Sequence, residues 1–194
     1  RQALDNPILR IATQVREGKG MPDFCDLGQF KRIHRREAEW KLCFGADQVL
    51  CGTNKTRQML NGKFRKNLGY DSDIPVKRDK MVCLQNDHML ELYNGMTGTC
   101  EGAKLMSKGS RHLLMDFSHR SEFLEDLPVF DIHHEGKIDH WARKKYQFFD
   151  YGYALTVHKA QGSEWDDVVI FNECQGMAGW LYTALTRAKT NAIL

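Results

Sequence analysis

The 194-residue sequence lacks a GxxxxGK[ST] phosphate-binding loop. Its three Gly-Lys pairs begin at Gly18, Gly62 and Gly136, and none of them is followed by Ser or Thr. The sequence also has no Asp-Glu pair suited to holding a catalytic magnesium ion. These absences exclude a self-sufficient nucleotide hydrolase of the P-loop class.

Long apolar runs and paired cysteines are also missing. No run approaches the ~18 apolar residues that a bilayer span needs, and the N-terminus lacks the basic-then-apolar pattern of a signal peptide. The six cysteines are widely separated and form no CxxC pair, so we interpret them as reduced core residues. We expect a soluble, cytoplasmic protein without a membrane partner. Because the sequence starts at Arg1 rather than at Met, we expect a piece of a longer chain.

The charge is nearly balanced, since 28 basic and 25 acidic residues give a net charge of +3. Any phosphate-binding face must therefore come from local clustering. Basic clusters occur at residues 31–36 and 143–145, and each could bind nucleic acid or simply face solvent. Residues 133–135 and His140 lack a recognisable metal-ligand spacing, so no metal site is predicted.

The apolar pattern at the two ends of the chain predicts an α/β fold. Asn6-Pro7 begins a helix, with Asn at the N-cap and Pro at the first helical position. A buried strand over residues 47–51 precedes an amphipathic helix over 55–68, and residues 168–171 predict a strand buried on both faces of a parallel sheet. We place the apolar residues of the 55–68 helix on one side and its basic residues elsewhere; the two sets are Met59, Leu60, Phe64 and Leu68, and Arg57, Lys63, Arg65 and Lys66.

The middle of the chain has a different pattern. Short apolar or aromatic segments alternate with turn residues and charge clusters, and Asn94-Gly95 is a strong hairpin signal. We therefore predict a small antiparallel β-barrel over residues 74–150, inserted into an α/β domain made of residues 1–73 and 151–194.

Residues 153–164, with the sequence YALTVHKAQGSE, place a polar turn after a strand. Gly162 would allow close backbone approach to a ligand, and Glu164 could accept a hydrogen bond from a ribose hydroxyl. Four further side chains suit contacts to a nucleic-acid backbone, namely Thr156, His158, Lys159 and Gln161. An ordinary strand-to-helix loop remains the alternative.

Residues 180–189, with the sequence WLYTALTRAK, predict a helix that leaves Arg187 accessible. Its packing face would consist of Leu181, Ala184, Leu185 and Ala188. A guanidinium beside a transferring γ-phosphoryl group stabilises the charge of the transition state. An isolated arginine on a helix is usually a solvated surface charge, and the preceding polar turn favours the catalytic interpretation.

The two C-terminal segments together resemble motifs V and VI of superfamily 1 helicases. They are most similar to the RecD-like branch, which moves 5′ to 3′ on single strands. Residues 49–54, with Arg57 and Asn61, resemble motif IVa, and residues 1–8 resemble the motif IV region. Residues 79–87 and 92–98 resemble the start of the SH3-like domain that is inserted in this branch.

The resemblance implies a RecA-like second motor domain, with helices on both faces of its sheet and an inserted SH3-like barrel. It implies ATP with Mg²⁺ as cofactor, single-stranded DNA as partner, and an N-terminal RecA-like domain that supplies the phosphate loop and the magnesium ligands. The implied catalytic residues are Arg187 and Arg1; the nucleotide-binding residues are Gly162, Glu164 and Gln2; the strand-binding residues are Thr53, Asn54, Arg57, Thr156, His158, Lys159 and Gln161.

The expected function is that of an ATP-dependent DNA helicase whose hydrolysis requires the missing motor domain. Three alternatives stay open. The chain could be a non-catalytic module that binds single strands, it could act on RNA, or its inserted barrel could dock a protein partner.

Overall fold

The computed structural model describes residues 6–34, 36–37, 39–72, 74–105, 110–117, 122, 124–130, 140–174 and 176–194. In chain order the elements are α1 (Pro7–Arg16), β1 (Cys25–Asp26), β2 (Phe30–Arg32), α2 (Trp40–Gly45), β3 (Gln48–Cys51), α3 (Asn54–Asn67), β4 (Lys80–Cys83), β5 (Thr97–Leu105), β6 (Ser110–Asp116), β7 (Leu124–Phe130), α4 (His140–Lys145), β8 (Phe149–Tyr151), β9 (Ala154–Thr156), β10 (Trp165–Ile170), α5 (Ala178–Leu185) and β11 (Ala188–Ile193).

The chain separates into two compact units. The first unit comprises residues 1–60 and 154–194, and the second comprises residues 61–153. The predicted insertion over residues 74–150 lies within the second unit.

The first unit contains a six-stranded sheet in the order β1-β2-β11-β10-β3-β9. All neighbouring pairs are parallel except β1 and β2, which run antiparallel. All four residues of β3 are buried, as are Val168 to Ile170 in β10, because both strands lie inside the sheet. The predicted strands at residues 47–51 and 168–171 are therefore confirmed, together with the parallel arrangement.

Helix α1 begins where the sequence predicts. The Asn6 side chain accepts a hydrogen bond from the Ile8 amide at 2.8 Å, and Pro7 occupies the start of the helix. Ile8, Ile11 and Val15 are buried on one side of α1, which packs against α5. This packing fixes α5, and with it the turn that carries Arg187.

The second unit contains a five-stranded antiparallel sheet in the order β7-β6-β5-β4-β8. An isolated bridge joins Val129 of β7 to Gln147, two residues before β8, so the two edge strands approach each other there. Its core consists of Met81, Cys83, Leu92, Cys100, Leu113, Met115, Phe117, Leu127, Val129, Phe149 and Tyr151. The mixed α/β character with one parallel and one antiparallel sheet is confirmed, and the SH3-like nature of the second unit stays a prediction.

Helix α3 differs from the prediction in the residues that it buries. Arg57 and Arg65 are only 5% and 6% exposed, whereas Met59 and Leu68, expected on the apolar side, are 42% and 48% exposed. Arg65 is buried because its Nε donates to the Asp79 carboxylate at 3.1 Å, which compensates its charge. The amphipathic pattern predicted the helix correctly but did not indicate that these two arginines are buried while Met59 and Leu68 are exposed.

Candidate functional site

The turn after β9 is held by apolar anchors and backbone hydrogen bonds. Val157 and Ala160 are buried, and the Thr156 carbonyl accepts from the amides of Lys159 at 2.9 Å and Ala160 at 3.1 Å. His158 and Gln161 are exposed. The turn therefore alternates anchoring residues with polar residues that reach solvent, which is the arrangement expected of a binding loop.

Gly162 ends this turn with a φ of +87°, in the left-handed region that favours glycine. Apart from its chain neighbours Gln161 and Ser163, none of the described residues has an atom within 4 Å of the place where a Cβ would be. The glycine is thus required by the backbone conformation. The expectation that it permits close approach to a ligand stays a prediction, and so does the nucleotide contact expected of the exposed Glu164.

Arg187 lies beside this same turn. Its Nη1 donates to the Ser163 carbonyl at 3.0 Å, its Nε to the Thr183 carbonyl at 3.2 Å, and its Nη2 to the Thr186 hydroxyl at 3.1 Å. The Trp165 amide donates to the Arg187 carbonyl at 2.9 Å. Two residues that are 24 positions apart in the sequence therefore meet at one point, and the half-buried guanidinium is fixed in orientation.

The predicted helix over residues 180–189 ends earlier than expected. Helix α5 stops at Leu185, Thr186 is its C-cap, and Arg187 lies in the turn before β11. Ala188 is buried as predicted, but as the first residue of β11, where it pairs with Trp165. Strand pairing at Ala188 draws the chain away from the helical path, which the local sequence pattern does not reveal.

A second cluster of polar groups lies at the turn between β3 and α3. The Thr53 hydroxyl accepts from the Thr56 amide at 3.1 Å and so caps the helix. The Asn54 side-chain oxygen accepts from Nε of Arg57 at 3.3 Å. Arg57 is nearly buried, so it holds Asn54 and exposes little of its guanidinium. The strand contact expected of Arg57 stays a prediction.

Glu173 also belongs to this cluster, although no local sequence pattern marks it as a site residue. Its Oε2 accepts from the amides of Gly52 at 2.7 Å and Thr53 at 3.2 Å, and its Oε1 accepts from the Thr56 hydroxyl. Burial and the nearby charge of Glu173 raise the pKa of the Cys51 thiol to about 12. A negative charge therefore occupies the start of α3.

The two clusters lie at opposite edges of the parallel sheet. Cys51 pairs with Thr156 near the carboxyl ends of β3 and β9, whereas Trp165 pairs with Ala188 at the amino ends of β10 and β11. The turn over residues 157–164 runs from the first edge to the second. A movement of this single turn would therefore displace residues at both clusters, which suits the coupling of two binding events.

Two predicted residues, Arg1 and Gln2, lie outside the described residues, as do His133 to Glu135. Across the part of the chain that is described, no group of three or more His, Cys, Asp or Glu side chains could hold a metal ion. Over the same residues, no helix combines the length and apolarity that a membrane crossing requires.

Comparison with known proteins gives a match in the region of this site. Residues 151–194 match the UvrD-like helicase C-terminal domain family. The ATP-dependent RecD2 DNA helicase of Deinococcus radiodurans is 33% identical over 115 residues, which cover 57% of this chain and 13% of that protein. The resemblance to RecD-like superfamily 1 helicases is confirmed.

Solved helicase structures share the fold. The Pif1 helicase from Candida albicans superimposes with a TM-score of 0.61 at 16% identity, covering 97% of this chain and 53% of that one. A Bacteroides Pif1 helicase in complex with ADP-AlF3 and single-stranded DNA gives a TM-score of 0.53 at 15% identity, covering 97% and 49%. At these identities the likeness shows the fold alone. The chain therefore spans about half the length of these Pif1 structures and a smaller part of the RecD2 helicase.

Proposed function

We propose that this chain is the second motor domain, with its inserted domain, of an ATP-dependent DNA helicase that moves 5′ to 3′ on single-stranded DNA. The observation that carries the proposal is the contact between Arg187 and Ser163, which joins the two helicase-like segments at one point. The family match to residues 151–194 covers both segments and supports the same interpretation.

Arg187 is the proposed arginine finger. All three hydrogen bonds described above for its guanidinium go to neutral oxygens, so they orient the group without neutralising its charge. A guanidinium held in this way stabilises negative charge that develops on a transferring phosphoryl group. Arg1 is proposed to contribute a second positive charge, with Gln2, Gly162 and Glu164 lining the nucleotide.

The donor set of the described residues fits the outer part of a nucleotide site. It offers a guanidinium beside a turn but no acidic cluster for a metal ion, so the magnesium ligands and the phosphate loop are assigned to the N-terminal motor domain of the same protein. Bound ATP with Mg²⁺ would supply the phosphoryl group that is transferred to water. On this proposal the present chain alone does not hydrolyse ATP.

The strand-binding face is proposed to follow the carboxyl edge of the sheet. Thr53 and Asn54 at the start of α3, and the polar residues of the 156–161 turn, would contact phosphates through hydroxyl, amide, imidazole and ammonium groups. These residues are Thr156, His158, Lys159 and Gln161, with Arg57 holding Asn54. Because such contacts read the backbone, binding should be independent of sequence and weakened by salt.

The test is ATP hydrolysis by the full-length protein with and without single-stranded DNA, followed by unwinding of duplexes that carry a 5′ or a 3′ single-stranded overhang. We expect DNA-stimulated hydrolysis and unwinding from the 5′ overhang. Strand binding without any hydrolysis would support the non-catalytic module instead, and activity only on RNA would change the substrate. Unwinding from the 3′ overhang would overturn the polarity.

A further inference from the structure

The carboxylate of Glu173 binds donors of the β3–α3 turn, which the proposed function places against DNA. Its two oxygens accept from the backbone amides of Gly52 and Thr53, at 2.7 and 3.2 Å, and from the Thr56 hydroxyl. Thr53 is one of the residues proposed to contact a strand phosphate. An oxyanion that approached the same donors would find them already bonded.

The segment that carries Glu173 packs directly on this turn. A Cβ at Gly52 would lie 2.7 Å from Sγ of Cys174 and 3.3 Å from Cβ of Glu173, so the turn tolerates only glycine in this arrangement. Glu173 itself is exposed. Its carboxylate can therefore exchange its protein donors for water by rotating its side chain, while the backbone of the turn stays in place.

Carboxylate and phosphate oxygens compete for the same kind of donor. Backbone amides at the start of a helix favour anions, because the peptide dipoles place partial positive charge there, and α3 has 14 residues. A resident carboxylate satisfies the amides and adds a negative charge that repels a second anion. The energetic effect is to weaken phosphate binding at this turn without abolishing it.

We propose that Glu173 is a built-in competitor of the DNA phosphate, a residue that lowers the affinity of the β3–α3 turn for the strand. This inference rests on the proposed function, because it assumes that the turn contacts DNA. A motor must release each phosphate that it binds. When a phosphate leaves, the carboxylate of Glu173 can bind the amides in its place, so that they are not left without a hydrogen-bond partner.

The first experiment compares strand binding by the full-length protein with Glu173 changed to Gln, which keeps the shape and removes the charge. Fluorescence anisotropy with a labelled oligodeoxythymidine, at low salt and without nucleotide, gives the dissociation constant. We expect Glu173→Gln to bind about fivefold more tightly, the order expected when one like charge near a surface phosphate is removed. Asp166→Asn is the matched control, since this exposed carboxylate lies near the start of β10, whereas Glu173 follows the end of that strand.

A gain in affinity for the labelled oligodeoxythymidine that is larger for Glu173→Gln than for Asp166→Asn supports the competition. Equal gains would mean that only the overall charge matters, and weaker binding would mean that Glu173 positions the turn for DNA. Either result would overturn the inference.

A second readout separates the inference from the proposed function. In the 194-residue chain, the amide resonances of Gly52 and Thr53 are followed during titration with inorganic phosphate, for the wild type and for Glu173→Ala. We expect the variant to respond at lower phosphate concentration. If the full-length wild-type and Glu173→Gln proteins do not bind DNA but the amide titrations differ as expected, the helicase proposal fails and only the competition between Glu173 and inorganic phosphate stands. Identical titrations would overturn the competition.

Discussion

Arg65 of the second unit and Arg187 of the first unit lie in opposite settings. In the second unit, the Arg65 side chain is 8% exposed, its Nε donates to both oxygens of Asp79, and its guanidinium lies 4.2 Å from the ring centroid of Tyr151. In the first unit, Arg187 is half-buried, and the hydrogen bonds that orient it go to neutral oxygens. The charge of Arg65 is paired with Asp79 inside the protein, whereas the hydrogen bonds of Arg187 do not neutralise its charge.

The two arginines differ in whether their hydrogen bonds include an acidic partner, which for Arg65 is Asp79. Asp79 is fully buried and also accepts from the Tyr153 hydroxyl at 2.8 Å and the Val76 amide at 2.8 Å, so its hydrogen bonds tie together segments of the second unit. A buried ion pair is costly to break because it leaves the surviving charge without a partner. The contrast supports the proposal that chemistry in this chain belongs to the strand ends of the first unit, and four measurements test it.

The largest effect is expected from Arg187→Ala in the full-length protein. DNA-stimulated ATP turnover should fall about 10³-fold, because an arginine finger of this kind contributes 10³ to 10⁵ in rate. The dissociation constant for single-stranded DNA should change little. Lys189→Ala, which removes an exposed positive charge two residues away, is the control. Turnover that is equal in both variants would remove the catalytic role of Arg187.

The next effect is expected from Arg65→Met, which leaves Asp79 buried without its partner. The free energy of unfolding of the second unit should fall by about 3–5 kcal/mol. Hydrogen exchange at the amides of β4 and β5 measures this loss. Lys66→Met, at an exposed position on the same helix, should leave exchange unchanged. Normal protection in the Arg65 variant would show that the pair is not structural.

A smaller effect is expected when His158 and Lys159 are both changed to Ala. Loss of these contacts to the strand should weaken DNA binding and reduce the slope of log K against log salt by about 0.7 for each phosphate that is no longer neutralised, the value for single strands. The slope is obtained from binding isotherms at several salt concentrations. A slope equal to that of the wild type would place both side chains away from the phosphates.

The smallest effect concerns Cys51 and alkaline pH. Burial raises the pKa of this thiol to about 12, whereas an unfolded cysteine ionises near its ordinary value. The stabilising contribution is therefore complete below the unfolded pKa and is lost as pH rises towards the folded one. Between pH 8 and 10 the free energy of unfolding should fall by about 1 kcal/mol more in the wild type than in Cys51→Ala. Urea denaturation at the two pH values measures the difference, and equal losses would contradict the assignment.

Local sequence predicted the elements whose determinants are close together in the chain. The Asn6-Pro7 helix start, the buried strands β3 and β10, and the polar turn that contains Gly162 all depend on neighbouring residues. The two helicase-like segments were identified for the same reason, and the structure then showed that Arg187 and Ser163 are in contact.

The remaining features depend on contacts between distant residues. Glu173 binds the Gly52 amide across 121 positions, and no local pattern marks such a partner. Arg65 lies outside the apolar positions of its helix, so the local pattern does not predict its burial. It is buried because Asp79, 14 positions away, compensates its charge inside the protein. The early end of α5 likewise follows from the pairing of Ala188 with Trp165 in the sheet.

The most direct test of the contrast between the two arginines is the affinity of the full-length protein for ADP with fluoroaluminate, which imitates the transferring phosphoryl group. If Arg187 acts on the transition state, Arg187→Ala should bind this complex at least about 100-fold more weakly, while its affinity for a non-hydrolysable ATP analogue changes little. Folded Arg65→Met protein should bind both ligands normally. Equal losses for the two ligands in Arg187→Ala, or no loss for either, would contradict the assignment of the chemistry to the strand ends of the first unit.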